Sequence, residues 1–229
     1  MQKLKFSINF LTLLIIFTLN SCKETETQYN FEIEGEIRNS RNELIYLSKV
    51  NEDSLIIIDS CEIHDNKFNF AGQIEIPEMF YLSDKYFKNY TPLFVEKSNI
   101  KFYAKNLEFS DLKIEGSISH QQFTEFSENF SIYQKKYSYI VNHLSDSIFF
   151  DDLSIQLNDS TYETIKDERL NFLKNYVTQN NSSIVSVYIT YKIIMHEVSK
   201  IELINIISEF SEQNKKSKYY TYIENFINK

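Results

Sequence analysis

Along the first half of the chain, apolar and polar residues alternate in short runs. Residues 31–37 place Phe31, Ile33 and Ile37 between glutamates, the period-two pattern of a strand with one buried face. Similar runs bounded by polar turns predict further strands at 44–49, 54–63, 67–76, 80–83, 92–96, 100–103 and 112–115. The triplet His64-Asp65-Asn66 is predicted to be a hairpin loop. About eight short strands at this spacing favour an antiparallel sandwich or barrel.

From residue 117 onward, the apolar pattern changes to that of helices. One stripe with spacings of three and four residues runs through Phe123, Phe126, Phe130, Tyr133, Tyr137, Ile140 and Leu144. A polar stretch at 145–159 is predicted to interrupt this helix. The segment 184–196 is very apolar and rich in β-branched residues.

Two capping boxes predict where later helices begin. In such a box a serine oxygen accepts the amide three residues on, and the glutamate there reaches back to the serine amide. Ser160–Glu163 predicts a helix to about Gln179, and Ser199–Glu202 predicts another to about Phe210. The inner face of the first of these is predicted to hold Tyr162, Ile165, Arg169, Phe172, Leu173, Tyr176 and Val177. A last helix is predicted over 218–227.

Together these patterns predict an α+β fold. An N-terminal antiparallel β-sandwich or barrel is expected over residues 31–117, and an all-α helical domain over 118–229. The two domains are expected to meet near Gly116.

The first 21 residues are predicted to be a secretory signal peptide. Lys3 and Lys5 form a basic start, and the apolar run 6–19 is shorter than the roughly 20 apolar residues of a spanning helix. Leu19-Asn20-Ser21-Cys22 is typical of a lipoprotein signal, whose cysteine takes a diacylglyceryl group and whose amine takes a further chain such as palmitate. We expect lipidation at Cys22 and a polar tether over residues 22–30. An ordinary signal peptide with an incidental cysteine is the alternative.

Charge restricts the partners of the processed chain. Removal of Lys3 and Lys5 takes the formal net charge from −8 to −10, which argues against nucleic acid and anionic lipid as partners. Membrane contact is therefore expected through the lipid anchor, in the outer membrane of the cell envelope. Glu24 and Glu26 resemble a signal for export to the cell surface in some gram-negative groups. We favour a solvated linker as the interpretation of these residues, and the export signal is the alternative.

The cysteines offer little further chemistry. With Cys22 lipidated, Cys61 is the other of two cysteines, so neither a disulfide within the chain nor a CxxC pair is expected. Cys61 lies in the predicted strand 54–63, where a thiol is most often a small packed apolar side chain. A reactive role would require exposure and a thiolate-favouring environment.

No catalytic residue, cofactor or metal ligand is predicted. Three glycines are too few and too scattered for a phosphate-binding loop. The histidines lack partners at metal-binding spacing and are expected to be surface or capping residues: His64, His120, His143 and His196. Asp146, Asp151 and Asp152 lack the spacing of a calcium loop and predict a solvated connection.

Several short islands of sequence occur in a familiar order. They are Phe31-x-Ile33-x-Gly35-x-Ile37, Ile45-Tyr46-Leu47, Ile58-Asp59-Ser60, Phe68-x-Phe70-x-Gly72 with Pro77, Leu93-Phe94-Val95-Glu96 and Ile114-Glu115-Gly116-Ser117. This part resembles the uncharacterised N-terminal domain (domain of unknown function 4369) of gram-negative envelope lipoproteins. Ser98 stands where that family tends to have glycine. In the family this domain usually precedes a thioredoxin-like domain, and residues 118–229 resemble the connecting region.

The resemblance implies a location and a role. The chain reaches Lys229 about where a thioredoxin-like domain would begin and has no CxxC, so the family's redox activity is not expected here. The first hypothesis is a non-enzymatic envelope lipoprotein that serves as a binding or scaffold module, with a thioredoxin-like protein as its partner in trans. The alternative is a surface-exposed lipoprotein that binds peptide or glycan between the two domains. An enzyme of unknown class is the third hypothesis.

Overall fold

The structure is a computed structural model that describes residues 29–40, 42–51, 54–146 and 152–229, with the backbone alone at 140–146 and 152–160. Its strands are β1 (Phe31–Ile37), β2 (Leu44–Asn51), β3 (Ser54–Glu62), β4 (Lys67–Gly72), β5 (Glu78–Asp84), β6 (Tyr90–Val95), β7 (Asn99–Ala104) and β8 (Lys113–Glu115). Its helices are α1 (Ile118–Asp146), α2 (Asp152–Gln179), α3 (Ile184–Lys192), α4 (Lys200–Ser208) and α5 (Lys218–Ile227). The predicted α+β class, strands first and helices after, is confirmed.

The strands form two four-stranded sheets that pack face to face. Sheet 1 has the order β4-β1-β7-β8, and sheet 2 has the order β3-β2-β5-β6. Their inner faces share one apolar core, to which Ile33, Phe70, Leu82 and Leu93 contribute fully buried side chains. The sandwich is therefore confirmed, except that it is not wholly antiparallel, because β1 and β7 pair in parallel. β7 follows β6 of sheet 2 along the chain, so it reaches sheet 1 by crossing between the sheets.

The prediction of a hairpin at His64-Asp65-Asn66 is wrong, because the strands on either side of the turn do not pair with each other. The turn itself forms, with paired backbone hydrogen bonds of 2.9 Å between His64 and Lys67. Asp65 and Asn66 both have positive φ, which short polar side chains tolerate. However, β3 pairs with β2 and β4 pairs with β1, so the turn carries the chain from one sheet to the other.

The helices pack on the outer face of sheet 2 and form a third layer. Along β5, Phe80 and Leu82 face the sandwich core, whereas Met79 belongs to a second core with the helices. On β6, Phe94 faces the helices, and its ring packs edge-on against Phe123 and Tyr188, with centroids 5.5 and 5.4 Å away. These two strands are buried on both faces, which explains their continuous apolar runs.

The predicted helix boundaries are confirmed at α4 and α5 but not at α2. Ser199 caps α4 by accepting the Glu202 amide at 3.3 Å, as its capping box predicts. The box at Ser160–Glu163 is not a start, because α2 begins at Asp152. Residues 152–159 include no glycine or proline to stop a helix, and a capping motif acts only where the preceding chain is not already helical.

The predicted inner faces of α1 and α2 are confirmed where side chains are described. Phe126 and Phe130 of α1 stack near Phe172 of α2, with centroids 6.1 and 6.0 Å from it. Arg169 is buried beside this stack, and its guanidinium donates to both carboxylate oxygens of Glu197, at 2.7 and 2.6 Å. The aromatic stack joins the two long helices to each other, and the ion pair joins α2 to the segment between α3 and α4.

Candidate functional site

The two outer strands of sheet 2, β3 and β6, differ in how they meet solvent. In β3 four consecutive apolar residues, Leu55–Ile58, are each between 41 and 50 % exposed. Both faces of the strand are open, since successive side chains point to opposite sides. A contiguous exposed apolar strand at a sheet edge is unusual in natural proteins and marks an interaction surface.

The backbone of β3 is paired on one side only. Leu55, Ile56 and Ile57 lie opposite Val50, Lys49 and Ser48 of β2. The register then shifts, so that Ile58 is an extra residue in a β-bulge. Along an antiparallel edge, every second residue directs its N–H and C=O away from its neighbour. Leu55–Ile57 therefore present hydrogen-bonding groups that an added strand can reach, and the bulge marks one end of that stretch.

Beyond the bulge, the edge is acidic, and its own side chains form hydrogen bonds with some of its backbone groups. The carboxylate of Asp59 accepts the Ser60 amide at 2.7 Å, and the Cys61 thiol donates to the Glu62 carbonyl at 3.3 Å. The sequence places Glu52 and Asp53 before the strand, and residues 51–63 contain no lysine or arginine. The ammonium group of Lys49, on the neighbouring strand β2, is 3.3 Å from the Glu78 carboxylate. In the sequence, acidic residues thus stand on both sides of the apolar stretch.

The opposite edge, β6, is covered by the first turn of α1. Phe94 on this strand has both of its outward backbone groups satisfied: its carbonyl accepts the Ser117 hydroxyl at 2.8 Å. Its N–H donates to Nδ1 of His120 at 3.4 Å. Pro92, two residues earlier, has no N–H to offer an incoming strand. This edge is closed to pairing.

The same turn is capped by residues from both domains. Ser117 is the N-cap of α1, and its hydroxyl accepts the His120 amide at 3.0 Å. The Glu96 carboxylate, at the end of β6, accepts the amides of Ile118 and Ser119 and the Ser119 hydroxyl at 2.6 Å. An anion at a helix N-terminus also interacts favourably with the helix dipole. Sheet 2 and α1 therefore complete one another's hydrogen bonds.

His120 corrects the prediction that all four histidines are surface or capping residues. Its side chain is only 8 % exposed, and burial lowers its pKa from 6.5 to about 4. A nitrogen that accepts a hydrogen bond carries no proton, so the neutral ring joins β6 to α1. His64 and His196 are exposed as predicted, and the His143 side chain lies outside the described residues.

A second contact between sheet and helices lies at the start of β5. The Met79 amide donates to the Tyr219 hydroxyl of α5 at 2.7 Å, and burial raises the Tyr219 pKa. The Lys218 ammonium group is 2.9 Å from the Glu78 carboxylate, which Lys49 shares. A groove of about 420 Å³ between the start of β5 and the start of α5 is lined by these charged groups. This groove lies between the β and α halves of the chain, which is the position that the sequence predicts for a peptide- or glycan-binding groove.

A larger groove, of about 570 Å³, lies between α1 and α2. Three aromatic side chains line it, those of Tyr133, Phe172 and Tyr176. The exposed amides of Asn171 and Asn175 border the same space. Aromatic surfaces beside amide groups are suited to a ligand with both apolar faces and hydroxyls.

The remaining predicted site residues are separate from these surfaces. Cys22 lies outside the described residues, and so do the Asp146, Asp151 and Asp152 side chains. Cys61 is half-buried and packs against the sandwich core, as expected of a structural thiol. Among the side chains that the structure describes, no three His, Cys, Asp or Glu lie together as metal ligands. Within the same part of the chain, no helix has both the length and the apolarity to span a membrane.

Comparison with known proteins identifies the N-terminal domain. Residues 31–123 match the model of a family described as a domain of unknown function (DUF4369), which confirms the resemblance for this domain. A search of curated proteins found no match. The matched range includes every strand from β1 to β8 and the first turn of α1. It therefore contains both the open edge β3 and the residues Ser117 and His120 that close β6.

The sequence contains a signal for some of these features and not for others. Ser117 precedes a helical stripe, which is typical of an N-cap. Glu96 and Phe94 are more than twenty residues away along the chain, and no local pattern connects them to α1. The exposure of β3 also leaves no sequence signal, because four apolar residues in a row are more typical of a buried strand.

Proposed function

We propose that the chain is a non-enzymatic, lipid-anchored protein of the cell envelope that binds another protein through β3. The open apolar strand Leu55–Ile58 is the observation that carries this proposal. Adding a strand to a sheet edge is a common way for one protein to hold another, because main-chain hydrogen bonds supply affinity whatever the partner's fold.

The chemistry of the described residues favours binding over catalysis. His120, whose pKa burial lowers to about 4, accepts a hydrogen bond from the Phe94 amide where α1 meets sheet 2. The buried Arg169 is committed to Glu197. Both groups therefore support the fold. The backbone N–H and C=O groups that can bind a partner lie on the edge of β3.

The lipid anchor is supported by residues 1–22, with Cys22 as the acceptor. Cells expressing the full-length chain and fed labelled palmitate are expected to incorporate label, and Cys22→Ser is expected to abolish it. Cys61→Ser is the matched control, because it removes the other cysteine and leaves the signal intact. Label in Cys22→Ser, or loss of label in Cys61→Ser, would contradict anchoring at Cys22.

The side of the outer membrane is tested on intact cells. Protease added outside is expected to spare the protein if it faces the periplasm and to degrade it if it faces the surface. A periplasmic protein serves as the control for cell integrity. The periplasmic result supports a thioredoxin-like partner in trans, because redox proteins of the envelope act there.

The partner itself is sought by cross-linking in cells and recovery of the full-length chain. The first hypothesis expects a thioredoxin-like envelope protein to be recovered. Ile57→Lys places a charge on the open edge and is expected to abolish recovery. Ile201→Lys makes the same change at a 75 % exposed position on α4 and is expected to leave recovery unchanged. Recovery that survives Ile57→Lys would show that β3 is not the binding surface.

A second candidate function, glycan or peptide binding, is favoured by the aromatic groove between α1 and α2. Calorimetry with a panel of neutral oligosaccharides tests it. Asn175→Ala removes an exposed amide from the groove and is expected to weaken any binding, whereas Ile57→Lys is not. The two candidate functions therefore respond to different substitutions.

A further inference from the structure

The turn between β5 and β6 presents a group of exposed aromatic side chains. Tyr86, Tyr90 and Phe87 are 77, 64 and 40 % exposed, and they lie within five residues of sequence. The Phe87 ring stacks on that of Tyr46 in β2, with centroids 5.3 Å apart and planes 3° from parallel. Tyr90 packs edge-on against Tyr81, 6.2 Å away. We call these five side chains the aromatic tip. Exposed aromatic clusters are typical of interaction surfaces, in which tyrosine is enriched.

The turn that carries the tip is held in one conformation by Asp84. One carboxylate oxygen accepts the amides of Tyr86 and Lys88, both at 3.0 Å. The other oxygen accepts the backbone amide of Asn89 at 3.1 Å and its side-chain amide at 2.7 Å. The Phe87 amide donates to the Asp84 carbonyl at 3.1 Å. Binding at the tip therefore requires little further ordering of this turn, which favours affinity.

Phe87 occupies a backbone conformation that is unusual for its side chain. Its φ of +54° lies in the left-handed region, which bulky residues rarely adopt. The ring stack with Tyr46 and the hydrogen bond to Asp84 hold it there. Strained residues of this kind are concentrated at functional sites, because the surrounding structure must maintain them. The strain at Phe87 therefore agrees with a binding role for the ring that it keeps at the surface.

The tip is basic, although the chain as a whole is acidic. Lys85 and Lys88 are exposed, and residues 85–91 contain no aspartate or glutamate. Among the described residues, neither lysine has an ion-pair partner, and the Lys85 ammonium group lies 5.2 Å from the centroid of the Tyr86 ring. The formal net charge of the chain is −8. An acidic partner is therefore attracted to this part of the surface, while the rest of the chain repels it.

We infer that the aromatic tip binds an acidic segment of another protein. Apolar side chains of that segment pack against the exposed rings, and its carboxylates lie beside Lys85 and Lys88. Rigid aromatic side chains supply most of the affinity at such surfaces, and the charges around them steer and orient the partner. This inference goes beyond the proposed function, because the tip is a different surface from the open stretch Leu55–Ile58.

The polar groups of the turn suit a protein segment better than a sugar. The backbone amides of residues 86–89 all donate to Asp84, and so does the Asn89 side chain. Ser83, which lies between Tyr46 and Tyr90 in the sheet, is only 1 % exposed. An oligosaccharide needs amides and hydroxyls that converge on its own hydroxyls. The tip instead presents aromatic rings and ammonium groups, which match apolar side chains and carboxylates.

The position of the tip disfavours a lipid surface as its partner. The predicted tether joins β1 at Phe31, whose ring lies 6.3 Å from that of Phe80, near the start of β5. β5 runs from Glu78 to Asp84, so the tip lies about 20 Å away, at the other end of the sandwich. A chain anchored through its tether therefore presents the tip away from the anchoring membrane. The anchor belongs to the proposed function, whereas the geometry of the tip is independent of it.

Fluorescence anisotropy with the full-length chain in neutral detergent tests the inference. The probe is a labelled peptide that repeats glutamate, leucine and proline. Its prolines lack an N–H and so prevent it from pairing with the edge of β3. One control peptide has lysine in place of glutamate, and another has glycine in place of leucine. We expect the probe to bind about tenfold more tightly than either control at low salt, and the ratio to the lysine peptide to shrink at high salt.

Substitution of the rings locates the binding. Tyr86→Ala combined with Tyr90→Ala removes the two most exposed rings of the tip and is expected to weaken the probe by about tenfold or more. Tyr29→Ala is the matched control, because Tyr29 is 57 % exposed at the opposite end of the sandwich. We expect it to leave the affinity unchanged.

Substitution of the charges tests the acidic character of the partner. Lys85→Glu combined with Lys88→Glu is expected to remove the preference for the glutamate peptide over the lysine peptide. Lys97→Glu reverses an exposed charge in the turn between β6 and β7, at the opposite end of the sandwich, and is expected to keep that preference.

Competitors distinguish the other classes of partner. Fragments of polygalacturonate carry carboxylates on a sugar chain, and phosphatidylglycerol added to the micelles supplies an anionic lipid surface. We expect neither to displace the glutamate peptide at an equal concentration of negative charge. Displacement by the first would identify the tip as a glycan site, and displacement by the second would identify it as a membrane contact.

Four outcomes would overturn the inference. They are equal affinity for the glutamate and lysine peptides, undiminished binding after the two tyrosine substitutions, displacement by either competitor, and a concentration-dependent dimer that the tyrosine substitutions abolish. If Ile57→Lys abolishes capture of an envelope protein while the tip shows no preference for the acidic peptide, the proposed function stands and this inference fails. If the tip binds as expected while capture survives Ile57→Lys, the proposed function fails and this inference stands.

Discussion

β6 and β3 border the same sheet, yet only β6 is closed. Phe94 on β6 is fully buried, and both of its outward backbone groups are bonded to the first turn of α1. Ile57 on β3 is 49 % exposed, and among the described strands β3 pairs with β2 alone. Both strands are apolar, so strand composition does not account for the difference.

The path of the chain after each strand accounts for it. β6 is followed by β7, β8 and then Gly116, whose φ of +88° turns the chain back toward sheet 2. An added Cβ there would lie 2.1 Å from the Asn99 carbonyl oxygen, so glycine permits the close turn that starts α1. β3 is followed by the turn at Asp65 and Asn66, which takes the chain away to sheet 1. One edge is therefore covered by the fold, and the other stays open among the described residues.

The largest expected effect comes from breaking the closed side. Phe94→Ala removes a buried ring that contacts Phe123 and Tyr188, and we expect it to lower the free energy of unfolding by about 3–5 kcal/mol. Ile57→Ala on the open strand is expected to cost less than about 1 kcal/mol. Urea denaturation of the two variants measures the difference. Similar losses for both would mean that the two edges are not as different as their exposure indicates.

The next largest effect is a dependence on pH at the closed edge. The folded-state pKa of His120 is about 4, below the 6.5 of an unfolded chain, so the unfolded state binds the proton first as the pH falls. Stability is therefore expected to fall between about pH 6.5 and pH 4, by about 3 kcal/mol in total from this group. Denaturation midpoints across that range measure it.

His120→Gln is the control for this pH dependence. Its amide oxygen can accept the Phe94 N–H without titrating, so the variant is expected to lose less stability on acidification than the parent. Carboxylates also contribute to the pH dependence. Burial raises the pKa of Asp84, but hydrogen bonds from the following turn outweigh it, so the pKa is lowered. Such groups titrate in both proteins, so their contributions cancel when the two pH profiles are compared. Identical pH profiles would show that His120 does not join β6 to α1 as a neutral acceptor.

A smaller effect is expected at the cap that Glu96 provides. Glu96→Ala leaves the Ile118 and Ser119 amides without this acceptor and is expected to cost about 1 kcal/mol. Glu96→Gln keeps an acceptor oxygen but not the charge, so we expect it to recover part of the loss. Thermal unfolding at low and high salt separates the two contributions. A salt-independent loss would assign the cap to hydrogen bonding alone.

How far the sequence predicts this molecule follows from how local each feature is. The period-two pattern of Phe31–Ile37, the helical stripe from Phe123 and the capping box at Ser199 depend on neighbouring residues, and all three are confirmed. The parallel pairing of β1 with β7 depends on residues far apart in the chain, and the sequence predicts an antiparallel sandwich instead. The start of α2 at Asp152 is missed because the capping box at Ser160 lies within a segment that is already helical. Arg169 shows both cases: its spacing predicts an inner position, but nothing local indicates Glu197 as its partner.

The smallest stability change is expected at the open edge, β3, where it tests most directly how this edge differs from β6. Ile57→Lys replaces a half-exposed side chain, and lysine is the residue that natural edge strands use to prevent unwanted pairing. We expect it to change the free energy of unfolding by no more than about 0.5 kcal/mol while reducing light scattering at high protein concentration. A loss above about 1 kcal/mol would mean that Ile57 is packed within the folded chain. Because an open edge predicts a neutral substitution and a covered edge a costly one, this measurement distinguishes a binding surface from a part of the core.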